Sequence, residues 1–282
     1  MIRNIQWPNG ALVCCTFRVA YEAFSKSGKF KKTAKIPLNL ASLSHANYGG
    51  RVGIWRLLEI FERTGIKATI GANGLAVEKW PETIKAAHAA GHDICAHGMT
   101  NDYHMTDLDA AAQRKEFRDC IDAIKKVTGV RPIGWAGPGN LHTEETLGIL
   151  ADEGYLWFGD VFDDDVPYVV EINKKRICCI PKLNYANDWR AWSDGLGHSG
   201  DFFEGFKRAF DSIYQEALRG RPGHTDVITH AELGGRHQIA PGFEDMIRYV
   251  KQYGDQVWIP TRAELADYLL KTLPAETYKP FG

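Results

Sequence analysis

Short apolar runs alternate along the chain with stretches of helical spacing. Ala11–Phe17 reads as a first strand, and residues 24–52 as a long polar loop. Ile54, Leu57, Leu58 and Phe61 recur at helical spacing over Ile54–Thr64, and Gly65 supplies the usual residue past a helix end. Lys67–Ala72 predicts a strand, and Trp80–Ala90 a helix with Pro81 near its start and Gly91 at its end. Asp93–Ala96 is a strand that runs straight into His97. Helices follow over Asp107–Thr128, Thr143–Glu153, Phe202–Leu218, Pro241–Tyr253 and Arg262–Leu270. Between them, Arg131–Trp135, Tyr155–Phe158, Arg176–Ile180, Asp226–His230 and Gln256–Ile259 read as strands. Strand–helix alternation at this pitch implies a parallel sheet, and the number of units implies closure into a deformed (β/α) barrel of about seven strands. No repeat, linker or low-complexity stretch divides the chain, so residues 1–282 are expected to form a single barrel domain.

Barrels of this kind carry function where strands end at their C-terminal face. The first strand is followed by Arg18, Tyr21 and Glu22, the third by His97, Asn101, Asp102 and His104, and the fourth ends at Trp135. After the fifth come Asp160 and the acidic run 163–165, after the sixth Asn187, Asp188 and Arg190, and after the seventh His230, Glu232 and Arg236. Titratable residues following strand after strand on one rim are the mark of an active site.

Composition narrows the classes. The chain has 282 residues, 44% hydrophobic and 24% charged, with a net charge of −1. That balance fits a globular domain and gives no basic surface for nucleic acid and no apolar stretch for a membrane. The first eight residues hold no apolar core of signal-peptide length, which gives a cytoplasmic expectation. The six cysteines form no CxxC spacing, and adjacent ones on a strand face opposite ways, so they read as buried, reduced thiols. No phosphate-binding loop, dinucleotide fingerprint or G-x-S-x-G elbow is present.

Several segments resemble the polysaccharide deacetylase family: Tyr48-Gly49-Gly50-Arg51-Val52-Gly53-Ile54-Trp55-Arg56, Gly65-Ile66-Lys67-Ala68-Thr69 and Ala90-Gly91-His92-Asp93-Ile94-Cys95-Ala96-His97-Gly98. Arg131-Pro132-Ile133-Gly134-Trp135, Asp164-Asp165-Val166-Pro167-Tyr168, Asn187-Asp188-Trp189-Arg190 and His230 with Gly235-Arg236 are similar to its branch of metal-independent allantoinases and related cyclic-amide hydrolases. The resemblance spans nearly the whole chain in order. It departs from the deacetylases where they hold a metal. Arg18 and Val19 stand where those have the two aspartates of TFDDG, and Asn101 stands for the second histidine of HxxxH. A catalytic zinc needs about three protein ligands, and a guanidinium adds positive charge where the cation would sit. The branch also lacks the aspartates and keeps a Tyr-Glu pair, like Tyr21-Glu22.

The resemblance implies a hydrolase of a small cyclic amide, ureide or imide, working as a homo-oligomer on a small-molecule substrate without the usual metal. Its expected catalytic residues are His97, Glu22 and His230. His97 serves as general base or oxyanion donor, and Glu22 activates water or orients a histidine. Arg18, Tyr21, Arg51, Trp135, Asp160, Glu232 and Arg236 are the expected substrate contacts, Trp135 as an apolar wall. Asp160 reads equally as a turn residue, and Asp188 and Arg190 as a pair with each other. His45, His88, His142, His198 and His224 read as solvated surface. Two alternatives stay open: a metal-dependent N-deacetylase with zinc or another divalent ion on His97, His104 and His230, and a barrel that binds a small molecule without turnover.

Overall fold

The computed structural model describes residues 4–25, 40–189 and 199–278. Ten strands form one mixed sheet: β1 Val13–Tyr21, β2 Thr69–Ala72, β3 Asp93–Ala96, β4 Gly134–Trp135, β5 Trp157–Phe158, β6 Tyr168–Ile172, β7 Lys175–Cys179, β8 Gly223–His230, β9 Val257–Trp258 and β10 Glu276–Thr277. Their order is β10-β6-β7-β5-β4-β3-β2-β1-β8, with β9 on the start of β1. β1, β2, β3, β4, β5, β7 and β8 run parallel, while β6 and β7 make an antiparallel hairpin. The α/β architecture is as the sequence implies, with a mixed rather than wholly parallel sheet.

All nine residues of β1 are buried, as are all eight of β8. Central parallel strands are covered on both faces, so alternation of apolar and polar residues does not mark their ends. β1 therefore runs to Tyr21, four residues beyond the apolar run, and Arg18 lies inside the strand rather than on the rim. Odd residues of β1 (Val13, Cys15, Phe17, Val19, Tyr21) join the larger core with Ile54, Leu57, Phe61, Ile84 and Phe117 of the outer helices. Even residues face the other side, where Cys14 packs with Cys95, Trp157 and Cys178. All six cysteines are buried and none forms a disulfide among the described residues.

Outside the sheet lie α1 Leu40–Tyr48, α2 Ile54–Thr64, α3 Gly74–Lys79, α4 Pro81–Ala89, α5 Ala110–Thr128, α6 Thr146–Asp152, α7 Ser199–Leu218, α8 Ala231–Gly234, α9 Ala240–Lys251 and α10 Arg262–Thr272. α2 ends on Gly65 (φ 69°), whose N–H reaches the Phe61 carbonyl at 2.9 Å. α10 opens with a capping box, Thr261 and Glu264 satisfying each other's backbone N–H groups. Residues 40–52, expected as loop, are helical: α1 and a five-residue π-helical turn, Gly49–Gly53. That turn presses on the segment after β8. A Cβ added at Gly53 would overlap the Ala231 carbonyl oxygen, one at Gly235 the Gly53 backbone, and one at Gly50 the Trp80 indole. Glycine is required here because backbone meets backbone. The rest of the expected loop, residues 26–39, falls outside the described residues.

Candidate active site

Glu22 and His97 directly follow β1 and β3, and His230 is the last residue of β8; the three strands are brought together by the register Ala20↔His230 and by the chain β1–β2–β3. Glu22 Oε1 lies 3.4 Å from His97 Nε2 and 3.5 Å from His230 Nε2. All three residues are more than nine-tenths buried.

The other nitrogen of each ring is committed. His97 Nδ1 bonds the carbonyl oxygen of Ala136, which only accepts, so Nδ1 carries the proton. His230 Nδ1–H donates to Asp188 Oδ1 at 2.6 Å. Asp188 is fully buried and its Oδ2 accepts from Thr229 Oγ1 and the His230 backbone N–H, both at 2.8 Å. With the proton on Nδ1, the neutral form of each ring turns an Nε2 lone pair toward the same carboxyl oxygen. Burial, the largest effect, holds His97 below the ordinary imidazole range, while the contact with Glu22 opposes it. Two lone-pair acceptors around one carboxyl oxygen bind well only with a proton between them, so the arrangement suits a proton shared among the three groups.

The loops are tied by Asn73, the residue after β2. Its Oδ1 accepts the Ala23 N–H at 2.7 Å and its amide donates to the His97 carbonyl. One buried side chain thereby fixes the segments carrying Glu22 and His97. Sequence reading missed Asn73, although a polar residue ending an apolar strand was a visible signal. It also left Asp188 as a surface pair with Arg190. Arg190 falls outside the described residues, and Asp188 belongs to His230.

The expected substrate contacts divide. Arg18 is 2% exposed on the even face of β1, the face that carries Glu22. Asp160 is buried; its Oδ1 lies 3.0 Å from Lys182 Nζ and its Oδ2 accepts the Gly137 N–H at 2.7 Å. Burial raises the Asp160 pKa, but Lys182 and the Gly137 bond outweigh it and hold the group low. It is a structural ion-pair partner at the end of β5. Glu232 is buried in the short α8, and Arg236 donates to the Glu232 carbonyl at 2.8 Å while its guanidinium lies over the Tyr48 ring. Arg51 is exposed.

Tyr21 and Trp135 are not pocket residues. Tyr21 stacks on Trp80, and its hydroxyl accepts from Thr83 Oγ1 at 3.1 Å. Trp135 packs edge-on against Phe117 at 4.5 Å, facing α5. Both occupy the helix-facing side of their strands because the pleat alternates. His104 pairs with Asp107 at 3.4 Å across a short 3-10 turn, where it caps instead of converging with His97. Asp102 is held by Ser25 and Thr100. His224, expected on the surface, is buried on β8, and His198 falls outside the described residues.

The inherited metal position does not fit a metal. Val19 points into the helix-facing core, Arg18 brings a cation to the interior face, and Asn101 is anchored through its backbone N–H to Ala23. Among the described residues no group of three His, Cys, Asp or Glu side chains is arranged to hold a metal ion.

Residues 47–157 match the polysaccharide deacetylase family model. A peptidoglycan deacetylase of Helicobacter pylori is 26% identical over 82% of this chain and 88% of its own. The Gibberella zeae peptidoglycan deacetylase-like protein FGM2 is 27% identical over 84% and 81%. Among solved structures, the Puue allantoinase superposes with a TM-score of 0.85 at 28% identity, covering 97% of this chain and 94% of that one. By these likenesses the chain is a hydrolase of the carbon–nitrogen-bond class, with residues 47–157 similar to the polysaccharide deacetylase family.

Proposed function

We propose that the chain hydrolyses a C–N bond of a small cyclic amide, ureide or imide, with Glu22, His97 and His230 as its acid–base group. The observation that carries this reading is the convergence of two imidazole Nε2 atoms on one Glu22 oxygen. Such a group moves protons without a Lewis acid. Glu22, as carboxylate, takes a proton from water as the water oxygen bonds to the ring carbonyl carbon. That proton passes from Glu22 to the Nε2 of one histidine and from there to the ring nitrogen as the C–N bond breaks, and the proton of the new acid goes to solvent. Water is consumed, the carbon side leaves as a carboxylate and the nitrogen side as an amine or urea. Asp188 holds the His230 ring in the tautomer whose Nε2 accepts, as the carboxylate partner of a catalytic histidine does.

Likeness to the Puue allantoinase favours the cyclic substrate, and the Arg18–Val19 pair in place of two acidic ligands favours a metal-free reaction. The peptidoglycan deacetylases among the relatives favour a second reading, removal of an N-acyl group from a sugar. A panel of hydantoins, cyclic ureides, imides and N-acetylated sugars, assayed with wild type and Glu22→Gln, decides between them. Turnover of rings that falls about 10²–10⁴-fold in Glu22→Gln supports the proposal. Turnover of acetylated sugars alone overturns it.

A further inference from the structure

The interior face of the sheet below the acid–base group carries three buried cations and two buried acids. Arg262 is fully buried and pairs with Asp226, its Nε 3.2 Å from Oδ1. Thr16 Oγ1 donates to the same oxygen at 2.7 Å. Lys182 pairs with Asp160 at 3.0 Å. Each acid is therefore engaged by its own base. Arg18 is the third cation, and among the described residues no carboxylate lies within ion-pair distance of it. Its Nε and Nη1 are buried and have no hydrogen-bond partner among the described residues. Solvent can fill a hydrogen bond, but a water molecule does not neutralise a charge held away from bulk water.

The side chain lies toward the strands that lead to His97. A Cβ placed on Gly71 of β2 would stand 3.7 Å from Arg18 Nε and 3.3 Å from Cys95 Sγ of β3. Burial is the main influence lowering the pKa of His97 and of Lys182, and the Arg18 guanidinium adds to both. Arg18 and Glu22 share a face of β1 four residues apart, about 13 Å along an extended strand.

We propose that Arg18 is a specificity residue and that the substrate carries a carboxylate, separate from the scissile amide, which pairs with its guanidinium. This deepens the cyclic-amide reading and rests on it. The planar fork of the guanidinium suits a carboxylate bound through two oxygens. Binding supplies the negative charge that the interior lacks, and it directs the ring carbonyl toward Glu22 and the histidines. The acid product of ring opening leaves from the same positive floor.

The experiment compares matched pairs, hydantoin with hydantoin-5-acetate and 2-pyrrolidone with its 5-carboxylate, in chloride-free buffer. Turnover and equilibrium binding are read for wild type, Arg18→Met and Arg18→Lys. The carboxylated member is expected to bind at least 30-fold more tightly in wild type, and that preference to vanish in Arg18→Met. Arg18→Lys keeps the charge without the fork and should retain part of it. Arg18→Met should also raise the melting temperature of the free protein, because it removes an uncompensated buried charge, so folding is not the obstacle. Carboxylate binding that depends on Arg18 without turnover of any ring sustains the inference and removes the hydrolase reading. Turnover of the carboxylated rings with the same kcat/KM in wild type and Arg18→Met removes the inference and leaves the hydrolase. Equal binding of both members of each pair, or displacement by chloride alone with no carboxylate preference, also overturns it.

Discussion

Asp188→Asn isolates the tautomer of His230 from the presence of its ring. In the wild type, Asp188 Oδ2 accepts two donors at 2.8 Å and Oδ1 accepts the His230 Nδ1–H at 2.6 Å. An asparagine keeps one acceptor oxygen. Placed at the Oδ2 position, that oxygen retains the Thr229 hydroxyl and the His230 backbone N–H, and the amide NH₂ then faces Nδ1. Donor meets donor, so the ring shifts its proton to Nε2 and accepts at Nδ1. The Nε2 lone pair that faced Glu22 is lost. A hydrogen bond to a charged group contributes about 1.5–3 kcal/mol, which as a tautomer bias is roughly 10–150-fold. Losing a proton-transfer partner costs about 10²–10⁴-fold in rate. Together these give a fall in kcat of about 10²–10³-fold at nearly constant KM, with a stability loss of about 1–3 kcal/mol. Long-range ¹H–¹⁵N correlation of the His230 ring, with steady-state kinetics on the best ring substrate, measures both halves. A folded Asp188→Asn protein with kcat within threefold of wild type, or a ring that keeps its Nδ1 proton, refutes the reasoning.

Exhaustive chelation should leave ring hydrolysis intact; full loss of activity restored by zinc would show that a metal does the work assigned to the three side chains. Asn73→Ala removes bonds to both the Glu22 and His97 segments and should cost about 1–3 kcal/mol of stability while lowering kcat more than KM, as urea titration and kinetics would show. His224 is buried on β8, and burial lowers its pKa from 6.5 to about 4. The folded state then binds fewer protons than the unfolded state between those values, so stability falls as pH drops through that window, by about 3 kcal/mol at its foot. His224→Phe should flatten the decline, and an unchanged slope of urea midpoint against pH would refute it.

The order of strands and helices was readable because apolar runs, helix-ending glycines and capping residues act locally: Gly65, Pro81 and Gly91 each stand where the structure puts a boundary. The convergence of Glu22, His97 and His230 was readable because each stands at the C-terminal end of a buried strand, where a titratable residue is seldom accidental. Residues buried on both faces were harder. Arg18 and Tyr21 both look like rim residues when β1 is ended at Phe17, yet one faces the interior and the other the helices. Trp135 suffers the same ambiguity of face, which only the pleat decides. Partners across the chain were illegible: nothing near Asp188 in sequence points to His230, 42 residues on. The β6–β7 hairpin hid its first strand behind the acidic turn 163–165, where Asp163 accepts from the Tyr168 hydroxyl at 2.9 Å and Asp164 from the Val166 N–H at 3.2 Å.

The glycine contact between the π-helical turn and the segment after β8 also bears on how this scaffold can be altered. A methyl group at Gly53 or Gly235 has nowhere to go except into backbone, and one at Gly234 would strike Thr229 and come within 2.9 Å of Asp188 Oδ2. The displacement would pass straight to the donors that set the His230 ring. In a saturation-mutagenesis map, Gly53, Gly234 and Gly235 should stand out as an intolerant band separated by 180 residues of sequence, as strict as the acid–base residues themselves although none touches substrate. A recombination library that exchanges the segment before Gly49 between relatives should survive, whereas a crossover between Gly49 and Gly53 should be silent only when both parents carry the same glycines.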